Sequence, residues 1–191
     1  MGNSKWLVVA AALLAAGTWT DAARAENRAE LQITPYVGYA HVRVDSPYLR
    51  DGQTDRFDMA MGGATVGFLT PFGLVIEAGG SFGFHEEIFS NDTDLGLDQD
   101  YAAIGYQIDF ADGWRFVPKV GRVKWKLESD DRDLLDLGGV RHETLRGYDN
   151  FYEASLMHHV SRSIAMGLNF RDIDTQFGHD RSGAFVVTFG F

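Results

Sequence analysis

Residues 183–191 read GAFVVTFGF. In an extended strand successive side chains point to opposite faces, which puts Phe185, Val187, Phe189 and Phe191 on one side and Ala184, Val186, Thr188 and Gly190 on the other. One face is apolar and aromatic; the other is small. A chain of 191 residues with a formal net charge of −10 therefore closes on a bare strand, with no polar cap, tail or turn after it.

The opposite end begins to account for this. MGNSKWLVVAAALLAAGTWTDAARA (residues 1–25) has Lys5 near its start, an apolar run from Trp6 to Ala16 and a small-x-small Ala23-Arg24-Ala25, the three parts of a secretory signal peptide. The apolar run is shorter than the roughly 20 residues that span a bilayer as a helix. Cleavage after Ala25 leaves residues 26–191 as one exported domain. It also removes Lys5, Arg24 and Asp21, so the exported chain is one unit more negative than the whole. Such a charge disfavours nucleic acid as a partner. The absence of cysteine excludes a disulfide framework and thiol chemistry.

From Leu31 onward the chain divides into eight alternating segments. LQITPYVGYAHVR sets Leu31, Ile33, Val37 and Tyr39 against Gln32, Thr34, Tyr36 and Gly38. FDMAMGGATVGFLT follows, and Pro71-Phe72-Gly73 turns it into GLVIEAGGSFGFH, where Leu74, Ile76, Ala78, Phe82 and Phe84 oppose Val75, Glu77, Gly79, Ser81 and Gly83. DYAAIGYQIDF puts Ile104, Tyr106, Ile108 and Phe110 on one face, and Ala111-Asp112-Gly113 leads to WRFVPKVGRVKWKLE, whose phase is the least clear. DNFYEASLMHHV, a tight Ser161-Arg162-Ser163, SIAMGLNFRDID and the terminal strand complete the set.

The connections alternate as regularly as the residues. Those after the second, fourth and sixth segments are very short, and those after the first, third, fifth and seventh read as long, polar and acidic. Tight turns at one end, longer loops at the other and an even strand number describe an all-β, antiparallel, up-and-down transmembrane barrel with both termini on the periplasmic side. Hydrocarbon offers no partner to an unpaired strand edge, so closure is obligatory there.

Three pieces, PYVGYA (35–40), PKVGRVKW (118–125) and FVVTFGF (185–191), resemble the eight-stranded outer-membrane barrels of the OmpA-like and OmpX-like group, across the whole of residues 26–191. The resemblance implies an outer-membrane barrel alone, without the peptidoglycan-binding domain of full-length OmpA, and bears on architecture and location much more than on activity. It also implies that Phe185, Val187, Phe189 and Phe191 form the closing strand read by the barrel-assembly machinery.

Parity also fills the lumen. Glu77 and Glu153 lie opposite the greasy faces of their strands, as does Arg171. Lys119 joins them if Val117, Gly121 and Val123 point outward only locally or the strand carries a bulge. Two acids and two bases indoors would pair, with Gln107, Tyr36 and Ser155 as expected hydrogen-bond partners, because an unpaired buried charge costs several kcal/mol. An eight-stranded barrel is just wide enough for side chains to fill, which favours a structural plug; related barrels carry a charged interior cluster. A narrow channel for ions or small solutes is the alternative.

A lipid A-modifying enzyme is the lesser alternative. His159-Val160-Ser161 fits the His-x-Ser half of the lipid A 3-O-deacylase pattern, but the later Glu is replaced by Asp172 and Asp174, and His159 sits at a turn away from outer-leaflet lipid. No palmitoyltransferase motif occurs, and an omptin-like protease needs ten strands. NDTDLGLDQD presents Asp92, Asp94, Asp98 and Asp100 as weak hard-cation ligands, lacking the distal Glu of a calcium loop; such runs more often form a solvated surface. The histidines are scattered. The expectation is therefore a monomeric barrel without cofactor that anchors acidic extracellular loops, for envelope integrity or surface interaction. Its partners are outer-membrane lipid, lipopolysaccharide and the assembly machinery, with divalent cations at the loops.

Overall fold

The computed structural model describes residues 29–45, 56–85, 95–129, 135–137, 140–142, 144–175 and 178–191. The signal-peptide reading and Asp92 and Asp94 lie outside these residues. The alternating segments form β1 (Glu30–Val44), β2 (Arg56–Leu69), β3 (Leu74–His85), β4 (Leu95–Tyr106), β5 (Ile108–Ala111), β6 (Trp114–Ser129), β7 (Leu135–Leu137), β8 (Val140–His142), β9 (Thr144–His159), β10 (Ile164–Thr175) and β11 (Gly178–Gly190), with no helix among the described residues. β5 carries β4 past a break at Gln107, and β7 and β8 make a small separate hairpin. The wall itself therefore has eight strands.

Every pairing is antiparallel. The order runs β1, β2, β3, β4, β6, β9, β10, β11, and β11 returns to β1, so the sheet closes and no edge is left. Outward positions are apolar in the half nearer the turns: Leu31, Val37, Val66, Ile76, Ile104, Phe116, Val120, Leu168 and Phe185 are all exposed. So much greasy surface is the complement of hydrocarbon, not of water. Phe185 is 44% exposed while Val186 beside it is 1% exposed, so the closing strand turns its aromatic face outward as its alternation predicts.

At the turn end, Gly73 (φ 89°) and Gly113 (φ 74°) take the left-handed backbone that closes the β2–β3 and β5–β6 turns, a conformation disfavoured by any Cβ. The loop end differs from the sequence reading. β10 and β11 run up to a connection of only residues 176–177, so the fourth loop is a tight hairpin. Likewise LGLDQD is strand, with Leu95, Leu97 and Gln99 buried inside and Asp98 and Asp100 on the outer wall. Polar residues that read as loop are rungs of a wall that rises beyond the apolar belt, where outward side chains meet a polar medium.

The interior is packed around rings set against glycines. Tyr36 lies across from Gly63, Tyr101 from Gly79, Phe151 from Gly121 and Trp125 from Gly147. A Cβ at Gly121 would collide with the Phe151 ring and one at Gly147 with the Trp125 ring. A narrow barrel has room for such rings only where the facing strand gives up its side chain.

Candidate functional site

The lumen has two halves of different chemistry. Toward the loops, Val42, Val44, Phe57, Met59, Leu95, Leu97, Val123, Trp125, Leu127, Leu145 and Ile173 are buried and form one apolar packing. Polar links thread it: Ser81 donates to Gln99 Oε1 (2.9 Å), Gln99 Nε2 donates to Asp180 Oδ2 (2.7 Å) and Trp125 Nε1 donates to Asp149 Oδ2 (2.6 Å). Toward the turns the lining is polar, with Gln32, Thr65, Arg115, Ser155 and Thr188 buried. It surrounds a cavity of about 20 Å³, enough for a water or so.

Between the halves lies the ion cluster. β3 delivers Glu77, β6 Lys119, β9 Glu153 and β10 Arg171, all from inward positions. Lys119 Nζ donates to both oxygens of Glu77 (2.9 and 2.9 Å) and to Glu153 Oε1 (2.7 Å), which uses all three ammonium donors. Glu153 Oε2 accepts from Arg171 Nε (2.8 Å) and Nη2 (2.6 Å). Two acids thus neutralise two bases. The linkage is a chain, Glu77 to Lys119 to Glu153 to Arg171, so Glu77 and Arg171 are joined through the middle pair.

Lys119 comes inward without the conditions the sequence imposed. β6 pairs with β4 and β9 in unbroken register over this stretch, so there is no bulge, and Val117 and Val123 point inward with it, 5% and 0% exposed. The barrel fills its interior with apolar side chains as readily as polar ones, and the unclear phase was two apolar faces of one strand. The hydrogen-bond partners also differ. Gln107 binds Arg115 and Asp109, Tyr36 binds Tyr101 (3.1 Å) and the Gly80 carbonyl (3.3 Å), and Ser155 lines the cavity. Arg171 instead stacks on Tyr101 at 3.9 Å and Phe151 at 4.9 Å from its guanidinium carbon. A desolvated cation over aromatic faces is worth about 2 kcal/mol. Both rings share the parity of Glu77 and Glu153, a signal the sequence carried beside the charged residues.

Among the described residues no catalytic grouping forms around His159. Its N–H donates to the Gly113 carbonyl at the turn end, and its β10 neighbour in register is Ala165. Asp172 stands seven residues further along that strand on the outer wall, about 23 Å away at 3.3 Å per residue. Among the described residues no three His, Asp or Glu side chains converge as a metal site. Asp98 and Asp100 are separated wall residues facing Lys126 and Lys124 across the β4–β6 ladder.

No family model and no curated protein sequence matches the chain. Solved structures do. Neisserial surface protein A superposes with a TM-score of 0.61 at 11% identity, over 85% of this chain and 97% of that one. Ail of Yersinia pestis, in complex with the heparin analogue sucrose octasulfate, gives 0.60 at 10% identity, over 86% and 99%. The N-terminal β-barrel domain of Pseudomonas aeruginosa OprF gives 0.53 at 13% identity, over 85% and 97%. At these identities the likeness establishes the fold.

Proposed function

We propose that this chain, which has the fold of eight-stranded outer-membrane barrels, is a non-enzymatic outer-membrane protein. It spans the membrane with its turn end toward the periplasm and anchors acidic loops at the cell surface, where they serve envelope integrity or surface interaction. The observation that carries this reading is the filled lumen: an apolar packing toward the loops and, beneath it, a cluster whose four charges are paired. A side-chain plug gives the wall rigidity and leaves the loops as the part free to act. The acids of residues 86–94, Glu86, Glu87, Asp92 and Asp94 without a Lys or Arg, would lie beside the phosphates of lipopolysaccharide, where divalent cations relieve the repulsion.

The test is to replace residues 86–94 with a short Gly-Ser linker and score calcium-dependent clumping of expressing cells. Normal insertion with loss of clumping is expected. Clumping unchanged by the replacement, or no calcium response with the native loop, would overturn the surface role.

A further inference from the structure

Above the apolar belt the outer wall carries charges, and over most of it they are matched across neighbouring strands. His41 Nδ1 lies 2.8 Å from Asp58, His179 Nε2 2.7 Å from Asp172, and Arg181 Nε 3.7 Å from Asp172. The β6–β9 ladder is different. Its outward rungs from Val120 to Lys126 are Val120 with Tyr152, Arg122 with Asn150, Lys124 with Tyr148 and Lys126 with Arg146, four cations and two tyrosines, and the one acid of the ladder's outer face is Glu128 on the next rung, opposite Thr144. On the β4 side, Asp100 and Asp98 stand across from Lys124 and Lys126, whereas Arg122 faces Ala102. Lys126 is bound to Glu128. Arg122, Lys124 and Arg146 are exposed and make no side-chain bond to any described residue.

We infer that this face docks the doubly phosphorylated glucosamine headgroup of an outer-leaflet saccharolipid, an assignment that rests on the outer-membrane reading above. Three features of the chemistry meet here. Guanidinium forks match phosphate oxygens in geometry as well as charge. Arg122 and the rung of Arg146 are four residues apart, about 14 Å at 3.4 Å per residue, which suits two separated phosphates better than the single phosphodiester of a phospholipid. Between them Tyr148, 57% exposed, offers a flat face to a sugar ring, and Tyr152, 71% exposed, lies one outward rung below Arg122 beside Val120. Directly below, Val120, Phe116 and Leu156 continue the same wall as an apolar track for acyl chains. The acidic loops repel such a headgroup; this strip of wall supplies the cations that hold it.

The experiment measures lipid retained by the purified, folded protein in native mass spectrometry, with three probes: bisphosphorylated lipid A, its dephosphorylated form, and phosphatidylglycerol. Folding of each variant is checked by heat-modifiable gel mobility. Bisphosphorylated lipid A is expected to be retained at least tenfold over the other two. The double variant Arg122→Gln/Arg146→Gln should lose most of that preference, while Arg162→Gln/Arg181→Gln, with the same change in net charge, should keep it. Equal loss in both variants would reduce the effect to net charge and overturn the site, and equal retention of phosphatidylglycerol would overturn the headgroup. Failure of the localisation shows separately: the chain would fractionate away from the outer membrane whatever its lipid preference, whereas correct fractionation with retention indifferent to Arg122 and Arg146 would overturn this inference alone.

Discussion

Leu31 and Phe191 exchange two backbone hydrogen bonds, Leu31 N–H to the Phe191 carbonyl at 3.2 Å and Phe191 N–H to the Leu31 carbonyl at 3.0 Å. Phe191 is thus the last rung of the seam where β11 meets β1. In hydrocarbon an opened rung leaves backbone groups with no alternative partner. Deleting Phe191, or adding a Lys after it, is expected to cut the fraction of folded, heat-modifiable protein several-fold, whereas a Lys inserted between residues 50 and 51 should leave it unchanged. Normal insertion of the truncated chain would show that the seam tolerates its loss.

The ion cluster ranks its own members. Glu153 holds both Lys119 and Arg171, while Glu77 holds Lys119 alone. Leaving a buried charge unpaired costs about 3–5 kcal/mol, so Glu153→Gln should destabilise the barrel more than Glu77→Gln in a urea titration from lipid vesicles. The Glu153→Gln/Arg171→Leu pair should couple strongly, and Glu77→Gln with Arg171→Leu only weakly, because they meet through two intermediates. Strong direct coupling of Glu77 and Arg171 would contradict the chain order.

The ring-and-glycine packing predicts a specific rescue. Gly147→Val should cost about 1–3 kcal/mol by overpacking against Trp125, and Trp125→Ala about 3–5 kcal/mol by leaving a void. Combined, they should cost less than their sum, since the added methyl groups enter the space the indole leaves. Additive costs in the same titration would mean the two side chains do not share that space.

These cases also mark what the sequence made legible. Strand number, the three tight turns and the outward face of β11 follow from two-residue alternation and turn chemistry, because lipid imposes a strict apolar parity on each strand. The inward parity of Glu77, Glu153 and Arg171 was legible for the same reason. Lys119 was not, since Val117 and Val123 share its face and the opposite face offers Phe116 and Val120; nothing local distinguishes lumen from lipid there. Asp98, Asp100, His179 and Arg181 read as loop because strands that rise beyond the membrane lose the apolar parity that identifies them. The stacking of Arg171 on Tyr101 and Phe151 joins three strands, and depends on a register that no single strand encodes.

Planar-bilayer recording of the purified protein tests the closed lumen most directly. The apolar packing of Val42, Met59, Val123, Trp125 and Leu127 closes around the hydrogen-bonded Ser81–Gln99–Asp180 chain, and the charges of Glu77, Lys119, Glu153 and Arg171 below it are paired with one another. The intact barrel is expected to give no steady current steps, and Lys119→Ala should change its stability without opening a conducting state. A sizeable steady current through the intact protein, altered by Lys119→Ala and indifferent to replacement of residues 86–94, would contradict the account and make the lumen the working part.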